Sequence, residues 1–519
     1  MAPLPEGISS AVAAADGGRA IKLSAQALVI GTGAGGAAAF CALAEAGVDV
    51  LAVELGSHVA PELMSGRSST TWPSLLAEAG GRGSEDFGVT VFQGRGVGGS
   101  TLLSSNLAHR PPTPILQHWA DRWGLTELAS ARFTDRLAAM ERTMGVAPID
   151  PALVNTNNQK LLDGMQRLGY AGGLMRHSRE GCRASGLCAL GCPNDAKLNA
   201  ARVHIPRALK AGGRLLVEAR VDRVQRAGDA VCGVSGYAVD PRTRIDVAPF
   251  VIHAPLVIVA GGASASFSIL RRSYLPDPHG LAGNNLHLNP SAAVIGIFDG
   301  PDDEPVRGWL GLPQAVECTE LFDPTPGSQR RVWLASGFAH PALMALSLPG
   351  FGPELAAMMR LYPRMASIHV LVHDQTSGRI VTDRGERVHM RYRLDEGDLQ
   401  QLALGMREAA RLLLAAGARR VLFPLSPPLW IANEDDLHTI DADNLGPHNP
   451  RLTSTNPSST LWMGLDPASS VVDPHGAHHH CPGLFIADAS LLPTSLGLPP
   501  QLLIATLGHM VAEAAASTL

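Results

Sequence analysis

Three cysteines, Cys182, Cys188 and Cys192, fall in Gly181-Cys-Arg-Ala-Ser-Gly-Leu-Cys-Ala-Leu-Gly-Cys-Pro193, a C-x5-C-x3-C spacing closed by proline. Close-spaced thiolates ending in Cys-Pro are a pattern of iron–sulfur ligation, in which a loop wraps the cluster and proline closes the turn. Three thiolates match a three-iron 3Fe–4S cluster. Buried loop-filling thiols, or a disulfide between two of the three, are rival readings. Zinc would need a fourth ligand, for which His177 is nearest. Cys41, Cys232, Cys318 and Cys481 are scattered, as small apolar fillers are. A second chemistry lies in Gly31-Thr-Gly33-Ala-Gly35-Gly36, which follows the apolar run Ala27–Ile30 and precedes an Ala-rich helix, Ala37–Ala46. Val48–Val53 then reads as a second strand ending in Glu54. This is a βαβ unit of the dinucleotide-binding kind. Gly31 allows the tight turn, Gly33 lets a pyrophosphate approach the backbone, and Gly36 lets the helix pack on the strand. The helix start offers N–H groups and the positive end of its dipole, and Glu54 offers a carboxylate to ribose hydroxyls. An ordinary βαβ turn without a ligand is the bland alternative; the agreement of strand, turn, helix and acid speaks against it.

The elements that must position these residues fill a chain of 519 residues, enough for about two to four domains. With 45% apolar and 17% charged residues it can bury a large core, which excludes a disordered or fibrous chain. A net charge of −5 without any long basic run speaks against nucleic acid as a partner. The first residues lack a basic segment followed by an apolar one, so no secretory signal is expected and the protein is placed in the cytoplasm. No run is long and apolar enough to span a membrane, while peripheral attachment stays open. Further strands are expected at Arg214–Val217, Arg220–Arg226 and Phe250–Val259, with helices at Asn199–Ala211 and Ser264–Arg272. A long helix over Asp398–Gly417 carries a core stripe including Leu402, Met406, Ala410 and Leu413. Ser367–His373 and Val388–Leu394 alternate like strands of an antiparallel layer, and His478–His480 reads as a solvated turn.

A second glycine loop, Gln93-Gly-Arg95-Gly-Val-Gly98-Gly99-Ser100-Thr101, precedes Arg110. Together with the first loop it resembles the glucose–methanol–choline (GMC) oxidoreductases. Val259-Ala-Gly-Gly-Ala-Ser-Ala-Ser266 resembles the family's second signature, with Phe267 and Tyr274 replacing its usual proline and glycine. Ser470–Asp473, Leu484–Ser490 and Pro493-Thr494 resemble its C-terminal segment. The resemblance implies an α/β (α+β overall) fold: a Rossmann-like FAD-binding domain with an inserted, mainly antiparallel β-sheet substrate domain. The flavin domain would comprise 20–115, 195–300 and 445–519, and the substrate domain 116–194 and 301–444, including the Cys-rich loop 177–197. FAD would be held by Gly31, Gly33, Gly36 and Glu54 at its ADP part, by Arg95, Gly98, Gly99 and Ser100 in the flavin loop, by Val221 at the adenine, and by Asp488. No histidine lies between Gly98 and Asn106, so the flavin is expected to be noncovalent.

The departures bear on chemistry. The family's histidine base falls at Asn456, its Asn/His partner at Pro499, its flavin-loop asparagine at Ser104, and a further histidine at Asn289. An amide orients an oxygen but cannot take the hydroxyl proton, and Pro499 has neither a side-chain donor nor a backbone N–H. His448 and His478–His480 are the nearest histidines in sequence, and each reads as structural or superficial. The resemblance therefore implies an FAD-dependent oxidoreductase acting on a CH–OH group of a mainly apolar small-molecule substrate. One alternative is a redox-neutral FAD-dependent isomerase or lyase; another is a non-catalytic flavin-binding protein. A GMC subgroup passes electrons through a three-iron cluster to a cytochrome, which would give the cysteine loop an electron-transfer partner. Other members carry the cysteine pattern without a demonstrated cluster.

Overall fold

In the computed structural model, which describes residues 4–15, 18–383, 387–446 and 448–519, the run Ala27–Ile30 is a strand buried on both faces. That is the environment an unbroken apolar run requires, and it belongs to a parallel sheet. Six strands form that sheet in the order Ile8–Ser10, Arg214–Val217, Val50–Val53, Ala27–Ile30, Leu256–Val259, Leu484–Ile486, all parallel. The helix Ala34–Glu45 packs against Gln501–Ala516 and Ala200–Lys210, so the C-terminal segment returns to the first βαβ unit. Residues 1–3 and 16–17 of the N-terminal stretch, where no secretory signal is expected, lie outside the described residues. Among the described residues no helix is long and apolar enough to cross a membrane.

Four expectations need correction. Phe250–Val259 is not one strand: Asp246–His253 belongs to an antiparallel sheet with Ala219–Ala227 and Ala230–Val239, and Leu256–Val259 to the parallel one. Pro255, which has no N–H to give to a ladder, separates them. Val388–Arg391 forms a hairpin with Arg379–Thr382, apart from the main antiparallel layer, and also bridges Ser84 through Met390. The histidine turn is only partly solvated: His478 is buried and its N–H reaches Leu484 O at 2.8 Å, while His479 and His480 are half-buried. The helices Thr113–Trp123 and Ala131–Thr143 bury Trp119, Phe133 and Leu137 in the core of the parallel sheet, although residues 116–194 were expected in the other unit.

The second large sheet runs Leu429–Ile431, Arg420–Phe423, Ser291–Ile297, Met365–Val372, Val332–Ser336, Val316–Cys318, Gly172–Leu174. Leu452–Ser454 and Val89–Val91 extend it from the side of Ser291–Ile297. Helices Thr156–Leu168 and Glu396–Ala415 cover one face, the latter burying Leu402, Met406, Ala410 and Leu413 as its stripe requires. Register fixes the other face. Thr453 pairs with Ser291, Ser291 with Leu371, and Leu371 with Trp333; two residues along, Ala335 pairs with Glu317. Directly paired residues project to the same side, so Thr453, Ser291, Leu371, Trp333 and Glu317 share the face turned away from those helices.

Candidate active site

The two glycine loops meet. Gly31 takes φ +95°, and a Cβ there would lie 2.4 Å from Ala260 O, so only glycine fits this turn. A Cβ on Gly99 would lie 2.8 Å from Gly33 Cα, which brings the second loop against the first. Gly98 N donates to Thr32 Oγ1 at 3.2 Å, and Gly94 N to Ser100 Oγ at 2.9 Å. Glu54 joins the loops: Oε1 accepts from Gly56 N (2.9 Å) and Gly96 N (3.2 Å), Oε2 from Thr32 N (3.1 Å) and Oγ1 (2.7 Å). Burial pushes this carboxyl above its usual range despite the four donors. Asp488 serves the same purpose farther along, accepting from Gly262 N, Ser266 Oγ, and the N and Oγ of Ser490. Val221 is buried where its strand begins a bulge.

Three features fit a diphosphate-bearing dinucleotide. Nothing lies within 4 Å of a Cβ built on Gly33, so the turn opens onto a cradle. The helix Ala34–Glu45 starts there without a side-chain cap, leaving the positive end of its dipole for an anion. Arg95 Nε is buried without a partner.

The positions expected for catalysis fall into two hydrogen-bonded sets. Asn456 Nδ2 donates to Asn289 Oδ1 at 3.0 Å, and Asn289 Nδ2 donates to Val372 O at 2.7 Å. Ser104 Oγ instead bonds Asn106 Oδ1 at 3.0 Å and Gln501 Oε1 at 3.1 Å. Pro499 is half-buried two residues before Gln501, so this network ties the last loop to the flavin-loop position. Among the described residues no hydrogen bond joins the Asn456 set to the Ser104 set.

Nothing in the sequence assigns a role to His109, and His177 stands there only as the nearest fourth ligand for zinc. Leu107 pairs with His177 in an antiparallel bridge, and Ala108 N donates to Arg176 O at 3.0 Å. His109 and His177 therefore project from the same side of this ribbon, as diagonal neighbours. His109 Nε2 lies 2.9 Å from Glu317 Oε2, which also accepts from Trp333 Nε1; the His109 ring stands edge-on to Trp333. His177 Nδ1 accepts from Arg179 Nε at 2.7 Å. Burial, then the charges of Arg179 and His109, hold His177 well below its usual pKa. The only signal in the sequence was position, since His109 closely follows the second glycine loop.

Behind the ribbon, Glu141 binds Arg110 through Nε (2.9 Å) and Nη2 (2.7 Å), and Arg176 through Nη1 (2.8 Å). The Arg110 hydrogen bonds are the main reason that the Glu141 carboxyl lies below its usual range, and Arg176 adds to the effect. A depressed carboxyl contributes stability that is complete above its unfolded pKa and lost as pH falls through the lower folded one. Glu141→Gln should therefore lower Tm at pH 7 and flatten its decline below about pH 4.3, as thermal melts across pH will show.

The cysteines do converge. Cys182, Cys188 and Cys192 line one cavity with Arg179 and Lys197. Arg179 Nη1 donates to Cys188 Sγ (3.3 Å) and its Nη2 to Ser105 O (2.6 Å). Lys197 Nζ donates to Leu102 O, Ser104 O (3.0 Å) and Cys188 O (2.8 Å); burial pulls its pKa down to about 8. The cavity holds about 10 Å³, room for one water and not for an iron–sulfur cluster. No group of three or more His, Cys, Asp or Glu among the described residues is arranged to hold a metal. The arrangement does not fit the cluster that is one reading of the spacing; instead Arg179, at the Cys188 thiol, and Lys197, at the Cys188 carbonyl, both reach the segment that follows the second glycine loop.

Residues 72–291 and 376–508 match two family models, each described as GMC oxidoreductase. An uncharacterized GMC-type oxidoreductase of Mycobacterium tuberculosis is 33% identical over 501 residues, covering 94% of this chain and 75% of the relative. The chain belongs to the GMC oxidoreductase family. A long-chain-alcohol oxidase of Arabidopsis thaliana is 25% identical over 523 residues, covering 97% of this chain and 68% of the relative. The crystal structure of pyridoxine 4-oxidase from Mesorbium loti superposes with a TM-score of 0.67 at 16% identity, covering 94% of this chain and 99% of that one.

Proposed function

We propose that this protein binds FAD noncovalently and oxidises a CH–OH group of a mainly apolar small molecule. The single observation that carries this reading is the pair of touching glycine loops, Gly31–Gly36 and Gly94–Gly99, opening at Gly33 onto an uncapped helix start within a GMC oxidoreductase chain. FAD, when bound, supplies a two-electron hydride acceptor. Gly31, Gly33 and Gly36 would hold its ADP part together with Glu54, whose first task is to join the loops. Arg95, Gly98, Gly99 and Ser100 would bear on the flavin side, Val221 on the adenine and Asp488 on the chain between. Asn456, Ser104 and Pro499 would flank the reacting carbon, with Asn456 orienting the substrate oxygen and no proton passing to it. The apolar choice of substrate is supported by the long-chain-alcohol oxidases among the relatives.

Incubation with 1-decanol and a dye acceptor should yield decanal and reduced dye in equal amounts. A product formed without dye consumption would favour the redox-neutral isomerase or lyase; no product from any alcohol would leave a flavin-binding protein without this activity.

A further inference from the structure

The three thiols of the Cys-rich loop are free, and the oxidation proposed above makes no use of them. Two of them meet at one nitrogen. Arg179 Nη1 lies 3.3 Å from Cys188 Sγ and 3.9 Å from Cys182 Sγ, so the two sulfurs are no farther apart than those distances together. The loop turns back on itself between them at Gly186, where φ is +73° and a Cβ would lie 1.9 Å from Trp309 O. Cys182 and Cys188 line the same small cavity with Arg179, Arg183 and Lys197, and no carboxylate is among the described residues that line it. Charge that either sulfur carries during a reaction is therefore met by one guanidinium. Cys192 is held differently. Its Sγ accepts from Ala196 N at 3.3 Å, within a turn closed by Asp195 N donating to Cys192 O.

The two sulfurs differ in access. Cys182 is half-buried, within reach of a small solute, whereas Cys188 is buried. The cavity has room for one water-sized group, which is the size of a single oxygen added to sulfur. The pair is also wired to the segment that follows the second glycine loop. Arg179, which touches both sulfurs, donates to Ser105 O, and Lys197 joins Cys188 O to Leu102 O and Ser104 O. A bond between the sulfurs would take Cys188 Sγ from Arg179 as an acceptor and displace the peptide that Lys197 holds.

We propose that Cys182 and Cys188 form an oxidisable dithiol, at which hydrogen peroxide makes a disulfide that repositions the second glycine loop. The effect on flavin rests on the FAD reading above; the disulfide itself does not. Cys182 Sγ attacks one peroxide oxygen, the O–O bond breaks, and a sulfenic acid and one water result. Cys188 Sγ then attacks Cys182 Sγ: the S–S bond forms, the S–O bond breaks, and the oxygen leaves as a second water. The dithiol gives up two electrons and two protons, the peroxide takes both electrons, and the protons leave in the two waters.

The test treats the full-length, FAD-loaded protein with hydrogen peroxide and follows intact mass, a peptide map and flavin absorption. Wild type should become two hydrogens lighter, with Cys182 linked to Cys188, and its flavin bands should shift with the bond and return with dithiothreitol. Cys192→Ser should form the same bond. Cys188→Ser should stop at the sulfenic acid, which dimedone traps on Cys182, and Arg179→Gln should slow closure of the bond by about 10-fold or more. The wild-type peptide map does not depend on the folding of any variant. A link through Cys192, or Cys182 and Cys188 both still open to alkylation after methionines have been oxidised, overturns the assignment. A Cys182–Cys188 bond that leaves the flavin bands unmoved overturns the tie to the glycine loop and keeps the dithiol. The same bond in protein that takes up no FAD overturns the FAD reading and again keeps the dithiol.

Discussion

Gly33→Val is expected to give a folded protein that purifies without yellow colour. The backbone of Gly33 is extended, at φ −68° and ψ −166°, a conformation that valine adopts without strain. Its side chain would meet no protein atom at Cβ. The variant should therefore melt like wild-type protein stripped of cofactor, while the branched side chain fills the space between the helix start and the diphosphate. Bound flavin should fall below about a tenth of the wild-type ratio per chain, measured from absorption after acid release. Gly31→Val should differ in kind: with φ +95° and Ala260 O only 2.4 Å from the new Cβ, it should impair folding as well as colour. Full flavin occupancy in Gly33→Val would mean that the cradle lies elsewhere.

Asp398→Ala should be the most destabilising of these changes that leaves the glycine loops untouched. The Asp398 side chain is fully buried and pairs with buried Arg331, whose Nη1 lies 2.6 Å from Oδ1. It also accepts from Gln375 N and Thr376 N, at 3.1 and 2.9 Å. Removing it leaves one buried guanidinium without its counter-charge and two N–H groups without an acceptor, a loss of about 3–5 kcal/mol. Arg331 Nη1 also donates to His373 O, and His373 Nε2 lies 3.0 Å from Ser495 O in the last loop. The damage should therefore reach the loop that carries Pro499. Urea unfolding of the apoprotein measures the first effect. A loss under about 1 kcal/mol would show that the pair is not desolvated as described.

The legible parts of this protein were those whose physics is local. A strand, a glycine turn, a helix start and an acid lie within Ala27–Glu54, so the cradle could be read from consecutive residues, and the long helix announced itself by its stripe. Phe250–Val259 was misread because one proline divides two apolar strands that alternation alone does not separate. The cysteine spacing showed that three thiols share a loop. It could not show Arg179 reaching in beside them, or how small the space between them is. His109 and Glu317 are 208 residues apart, brought together only by the order of strands in the large sheet. Departures from the family pattern at Asn456 and Pro499 were plain in the sequence, whereas the histidine pair across the ribbon required the fold.

The most direct measurement is an anaerobic absorption spectrum of the purified protein, recorded before and after addition of 1-decanol. The expected result is an oxidised flavin spectrum that bleaches completely on adding the alcohol, with one decanal formed per flavin. A flavin spectrum that stays oxidised with 1-decanol and with every other alcohol offered would contradict the account.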